Sequence, residues 1–330
     1  MKRLLKSLIV LSLTACVLTG CTNKRVKILY TVYPIGYILD RLCANTQQYQ
    51  SVQKDNSIVQ LSTVSDDFTD LLESGKVLFH IGDLEPYYAT NSQMIKDSGI
   101  QEIDLSSKNA VYDFKRYSKK ETEDGIVYEQ TPFYEGKVFD SVDKYEKDLC
   151  LWMDPITMLS MATQIKDYLI ANDIANAKTV EENYKALEED LVNIDAQYQA
   201  LSTSLEKNGD VIRFVSMSSC FTSWQKNYGF VIDPVVLSRY GSLPNEEQLQ
   251  AIEKKIKEDD MKYISYEPNM SEDMIELYKR VKEDCQLSKI DFSNLSSLSD
   301  EEYNAGKDYI SISYQNLQNL KSIIEKSEQE

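Results

Sequence analysis

Histidine is nearly missing: His80 is the only one in 330 residues. That scarcity removes most imidazole-based catalysis and nearly every common zinc site. Glycine and proline are also sparse, at 11 and 7, which excludes collagen-like and Pro/Gly-rich low-complexity chains. The six cysteines are widely spaced, with no C-x-x-C pair, so neither a zinc ribbon nor a thioredoxin-type centre is indicated. Lys and Arg number 36 against 53 Asp and Glu, a net charge of −17. Such an acidic chain repels polyphosphate backbones, which argues against nucleic-acid binding. What remains is 42% hydrophobic and 10% aromatic, with 22 tyrosines. That is enough apolar material for about two domains.

The N-terminus reads as a leader. Lys2, Arg3 and Lys6 precede an apolar run from Leu8 to Leu18, too short to span a bilayer core of about 30 Å. The run ends at Leu18-Thr19-Gly20-Cys21, which resembles a bacterial lipobox. Residues 1–20 are therefore expected to be a signal peptide, and Cys21 the site of lipid attachment. The expected location is extracytoplasmic, at the membrane but not through it, because no later stretch approaches 18 consecutive apolar residues. The mature part keeps 53 acids against 33 bases. Four thiols remain, Cys43, Cys150, Cys220 and Cys285, and spacing does not choose among their three possible pairings.

From Val26 onward, strand-like and helix-like segments alternate. Strands are expected at 26–32, 59–61, 76–81, 211–215 and 262–266. Helices are expected at 35–43, 67–74, 221–228, 248–257 and 272–283. This alternation predicts parallel α/β sheets covered on both faces. The clearest element is 179–207, where Val180, Tyr184, Leu187, Leu191, Ile194, Tyr198, Leu201 and Leu205 recur at steps of four and three. Thr179 with Glu182 has the pattern of a capping box, and Gly209 stands where a helix would stop. A coiled-coil dimer would use the same stripe, but four heptads between two α/β regions favour a strut within one chain. The expected architecture is two (β/α) lobes with parallel sheets bridged by one long rigid helix, and a ligand cleft between them. Its boundaries are an N-terminal lobe at 21–178, the linking helix at 179–207 and a C-terminal lobe at 208–330. Residues 106–147, rich in Tyr, Lys, Asp and Glu, are expected to form a solvated polar insertion in the first lobe.

Several segments together resemble the zinc and manganese substrate-binding lipoproteins of bacterial ABC importers. Thr31-Val32-Tyr33-Pro34-Ile35 is similar to the family's T-x-Y-P-L, and Ile81-Gly82-Asp83-Leu84-Glu85-Pro86 to its N-G-x-x-L-E-P. Leu151-Trp152-Met153-Asp154-Pro155 resembles V-W-L-D-P, where an Asp N-cap followed by Pro opens a helix. Lys226-Asn227-Tyr228-Gly229-Phe230, Tyr266-Glu267-Pro268-Asn269 and the segment from Tyr309 to Leu320 follow in family order. The resemblance implies a non-enzymatic receptor that captures zinc or manganese as cargo and delivers it to an ABC permease and its ATPase. It is expected to work as a monomer.

The resemblance breaks at the metal ligands. Carried over residue by residue, the four family positions fall at Asp66, Cys150, Ser218 and Ser293, none of them the family's usual residue, with Asp291 and Cys220 as possible substitutes. The family's His-rich loop has no counterpart in 106–147. A carboxylate and a thiolate are capable zinc donors, whereas a serine hydroxyl is a poor one. A second class of function therefore stands beside the importer: a surface-interaction or adhesin-like lipoprotein, or a receptor for another solute. An enzymatic reading would rest on Cys150 with His80, which nothing in the sequence orients. His80, inside the apolar run Val77 to Ile81, reads as structural.

Overall fold

In a computed structural model, residues 28–43, 49–54, 56–122 and 125–327 are described. The leader and Cys21 lie outside them. Strand β1 (Ile28–Tyr30) leads into helix α1 (Tyr33–Cys43), and β2 (Tyr49–Ser51) follows. Helix α2 (Phe68–Ser74), β3 (Val77–His80), α3 (Pro86–Thr90), α4 (Ser92–Ser98) and β4 (Gln101–Asp104) complete the first lobe's sheet and its cover. Its strands are all parallel, in the order β2-β1-β3-β4.

A hairpin of β5 (Arg116–Thr122) and β6 (Gly125–Thr131) comes next. It is followed by α5 (Pro155–Ala171) and the long α6 (Ala177–Asn208). The second lobe contains β7 (Arg213–Ser216), α7 (Ser223–Tyr228), β8 (Val231–Pro234), α8 (Glu246–Glu258), β9 (Tyr263–Tyr266), α9 (Glu272–Asp284) and β10 (Ser288–Asp291). Its sheet is again parallel, in the order β10-β9-β7-β8. Helices α10 (Asp300–Asn304) and α11 (Tyr309–Ser327) close the described chain. Two parallel α/β lobes and a long helix are thus the observed fold.

Helix α6 runs for 32 residues, about 48 Å at 1.5 Å per residue. Val180, Leu187, Leu191, Ile194, Tyr198, Leu201 and Leu205 are all buried within the chain, so the stripe is consumed by α1, α5 and α11. Its N-cap is Asn176, whose side chain accepts from the Thr179 amide, and not Thr179 as the capping-box pattern suggested. Gly209 ends it in the left-handed conformation at φ 75°, which costs glycine little. Asp154 accepts from the Ile156 amide and Pro155 fills the first position of α5, as expected from the sequence.

Two expectations are corrected. Val59–Leu61 is a single 3-10 turn with Val59 and Gln60 buried, not a strand; the second strand of the first sheet is Tyr49–Ser51. The 106–147 region is not a solvated excursion. Phe114, Tyr117, Phe133, Tyr134, Phe139 and Tyr145 are buried, and the segment packs onto the second lobe. Arg116 from β5 sits between Asp233 and Asp259 as an ion triad. The Tyr134 hydroxyl donates to the Pro234 carbonyl at 3.0 Å, and Lys226 lies 3.4 Å from the Tyr112 ring centroid. Arg239 of the second lobe reaches back to the Asp83 side chain at 2.8 Å and to its carbonyl at 2.6 Å. The two lobes are therefore strapped together on this flank.

Candidate functional site

The carboxyl ends of both sheets face each other across the lobe interface, where α/β folds place their ligands. From the first lobe, Gln60 on the 3-10 turn is 1% exposed and its Nε2 donates to Ser219 Oγ at 2.8 Å. From the second lobe, Glu267 follows β9 and is also buried. Its Oε1 accepts from the Met217 and Ser218 amides and from the Ser265 hydroxyl, at 2.8, 2.9 and 2.9 Å. Its Oε2 accepts from Asn294 Nδ2 at 2.8 Å. This one carboxylate holds the loop after β7 in place.

Glu85 occupies the matching point after β3, at the start of α3, and is fully buried. Neither of its oxygens has a hydrogen-bond partner among the described residues. Burial pushes its pKa up to about 7. Asp148 is buried too, and desolvation pushes its pKa up to about 6. The Thr222 hydroxyl at 2.7 Å and the Cys150 amide at 3.2 Å oppose that rise.

Cys150 and Cys220 form a disulfide with their Cα atoms 5.1 Å apart. The bond joins the segment entering α5 to the loop after β7. Around it lies an aromatic floor: Trp152 Nε1 donates to the Asn294 carbonyl, Trp224 Nε1 to the Met153 carbonyl, and the Tyr309 hydroxyl to the Trp152 carbonyl.

These placements decide what each candidate donor can do. Asp66 is on the surface, with an 87% exposed side chain paired to Lys54 at 2.8 Å. The residue of its segment that enters the interface is Gln60, which sequence reasoning missed. Cys150 and Cys220 offer no thiolate while bonded to each other, which also removes the Cys150 nucleophile. Ser218 is fully buried, and its Oγ lies 3.4 Å from the Cys220 amide. Ser293 is held by Asn316, whose side chain accepts from its amide at 3.0 Å and donates to its carbonyl at 2.8 Å. Asp291 is outside the interface, paired to Lys289 at 2.8 Å. Among the described residues, no three His, Cys, Asp or Glu side chains are grouped to hold a metal ion. His80 is structural: Nδ1 lies 2.9 Å from the Gly82 carbonyl and the ring stacks on Tyr88.

The family model for the zinc-uptake complex component A, periplasmic (ZnuA), matches residues 28–323. The chain belongs to the ZnuA family. ZnuA-family members are metal-binding substrate receptors of ABC transporters and not enzymes; zinc is the family's transported cargo. The zinc-binding lipoprotein AdcA of Streptococcus pneumoniae is 23% identical over 324 residues, covering 96% of this chain and 60% of AdcA. The chain thus spans about 60% of the length of that curated relative. The periplasmic zinc-binding protein TroA of Treponema pallidum has the same fold at a TM-score of 0.67 and 13% identity, covering 90% of this chain and 98% of TroA. A mutant of the laminin-binding adhesin Lmb of Streptococcus agalactiae superposes at a TM-score of 0.66 and 15% identity, covering 90% and 98%.

Proposed function

We propose that this protein is the extracytoplasmic receptor of an ABC importer. It is held at the membrane by a lipid on Cys21 and works as a monomer with a permease and an ATPase as partners. Family membership over residues 28–323 is the observation that carries this reading. Solute is captured at the interface of the two lobes, and α6, packed against both, restricts how far they move apart. Zinc is the cargo to which the family points, with manganese the near alternative. In this chain the strongest donors for it are Cys150 and Cys220, available once their bond is reduced, with Asp148 on the same loop contributing a carboxylate. Asp66, Ser218 and Ser293 contribute at most through loop movement.

A second reading is favoured by one observation, the Cys150–Cys220 disulfide, which ties up the thiol that the resemblance implies as a donor. It makes the protein a receptor for a different solute, or a surface-interaction lipoprotein that kept the fold. The test is metal content by mass spectrometry on residues 22–330 purified without chelator, followed by zinc and manganese calorimetry on oxidised and reduced protein. Near-stoichiometric zinc that disappears on Cys150→Ala supports the metal importer. No metal and no heat in either redox state overturns it in favour of the second reading.

A further inference from the structure

The interface between the lobes is built differently on its two flanks. Where β4 and β8 form the sheet edges, the 106–147 segment bridges it. The Tyr145 hydroxyl donates to the Leu84 carbonyl at 2.7 Å, and Arg239 holds Asp83 by both its side chain and its carbonyl. The Arg239 guanidinium also lies 5.4 Å from the Tyr145 ring centroid, so the two anchors brace each other. The chain itself crosses on this side. Residues 105–112 leave β4 and run into the bridging segment, where the Asp148 amide donates to the Tyr112 carbonyl.

On the opposite flank, where β2 and β10 are the edges, the lobes face each other across a crevice of about 590 Å³. Tyr30, Gln53 and Asn56 stand on one wall, Ser296, Tyr303 and Asp308 on the other. Its inner end is spanned by a neutral hydrogen bond, from Ser297 Oγ to the Ser57 carbonyl at 3.0 Å, and by the Tyr37 and Tyr309 rings stacked at 5.5 Å. Hydrogen bonds from a guanidinium are roughly twice as strong as neutral ones. The flank held by Arg239 is therefore the harder one to part.

The disulfide does not tie the crevice shut. Cys150 belongs to a stretch packed with the second lobe: Trp152 bonds to Asn294, Met153 to Trp224, and Tyr134 to Pro234. The plane of separation thus runs between residues 28–105 on one side and residues 112–153 with the second lobe on the other. It crosses the Gln60–Ser219 bond. We infer that the lobes part on the β2/β10 flank, pivoting on the Arg239–Asp83 and Tyr145–Leu84 anchors, and that the crevice is the entrance through which solute reaches Gln60 and Ser219. Asn56 and Ser57 lead into the turn that carries Gln60, and Ser296 and Ser297 follow Asn294, the partner of Glu267, so both walls run into the cleft floor. Only the passage of solute rests on the importer reading; the direction of opening does not.

The test is double electron–electron resonance on residues 22–330 carrying Cys43→Ala and Cys285→Ala, purified without reductant so that Cys150 and Cys220 stay bonded. One spin-label pair, Asn56→Cys with Tyr303→Cys, spans the crevice. The other, Ser107→Cys with Ser242→Cys, spans the strapped flank; all four positions are exposed. The crevice pair should show a second, longer distance, and the strapped pair a single narrow one. Ser297→Ala should raise the long-to-short ratio of the crevice pair about fivefold, the size of one neutral hydrogen bond, and leave the strapped pair unchanged. A narrow crevice distance that Ser297→Ala does not alter overturns the inference, as does a strapped pair that broadens as much as the crevice pair. Zinc calorimetry on the same labelled protein reports separately on the importer reading: a crevice that opens in protein that takes no zinc removes the cargo and keeps the direction of opening.

Discussion

Gln60 and Ser219, 159 residues apart, meet at the lobe interface through one buried hydrogen bond of 2.8 Å. Both are nearly inaccessible to solvent, so neither group can turn to water if its partner is lost. Ser219→Ala is expected to cost about 1–3 kcal/mol, the penalty of leaving the Gln60 amide unpaired in the interior. Urea denaturation of the mature chain measures it. Gln60→Leu together with Ser219→Ala, which removes both partners, should cost less than Ser219→Ala alone.

Glu267 and Glu85 occupy similar points in the two lobes but have opposite surroundings. Glu267 takes four donors, whereas Glu85 takes none from the described residues. Glu267→Gln replaces one acceptor oxygen by a donor and should cost about 2 kcal/mol or more, since hydrogen bonds to charged groups contribute about 1.5–3 kcal/mol. Glu85→Gln should be neutral or stabilising at pH 8. Equal losses from both changes, in chemical denaturation at that pH, would show that Glu85 has a partner after all.

The same burial makes stability depend on pH. Glu85 is raised from 4.5 to about 7 and Asp148 from 3.8 to about 6, both by desolvation. An acid with a raised folded-state pKa keeps its proton in the native state while the unfolded chain releases it. The contribution of these two groups therefore falls as pH rises from about 4 to about 7, and levels off above. For Glu85 the difference amounts to about 3 kcal/mol. Denaturation midpoints across that window should fall less steeply in Glu85→Gln with Asp148→Asn than in the parent, and an unchanged slope would overturn the assignment.

How far the sequence reveals this arrangement depends on how much periodicity each part has. Helix α6 is legible because eight apolar positions repeat over about seven turns, and Asp154-Pro155 because its capping chemistry is local. Strands β4 and β10 are not, since Gln101–Asp104 and Ser288–Asp291 are edge strands with largely polar, exposed faces. Gln60 escapes because three residues, Val59 to Leu61, cannot distinguish a strand from a single 3-10 turn. Asp66, carried over from the family resemblance, stands where the chain has already turned outward into solvent. The packing of 106–147 is hidden for another reason. Its aromatics are interspersed with Lys, Asp and Glu, and the surface that buries them lies about a hundred residues later.

Arg116 provides a direct test of that packing. Its guanidinium is paired with Asp233, whose side chain is fully buried, and with Asp259. Arg116→Ala leaves the Asp233 carboxylate in the interior without its cation and should cost about 3–5 kcal/mol. Asp233→Asn on the Arg116→Ala background should recover part of that loss. Limited proteolysis should then cut the β5–β6 hairpin of Arg116→Ala faster than that of the parent. If the hairpin stays equally resistant, its attachment depends on Tyr134 and the other buried aromatics, not on the ion triad.

The disulfide gives the sharpest prediction because it bears on both folding and function. Cys150 and Cys220 are separated by 70 residues, and closing a loop of that size stabilises a chain by about 4 kcal/mol through the entropy of its unfolded state. Unfolded, non-reduced protein from residue 22 onward should show two reactive thiols, Cys43 and Cys285, and four after reduction. Reduction, or Cys150→Ser with Cys220→Ser, should lower the denaturation free energy by about that 4 kcal/mol. Four reactive thiols before reduction would mean that the pair is not bonded as purified. Both sulfurs would then be available as thiolate donors at the cleft floor, and zinc titration of that same sample should show stoichiometric binding, with thiolate-to-metal charge transfer when cobalt is substituted.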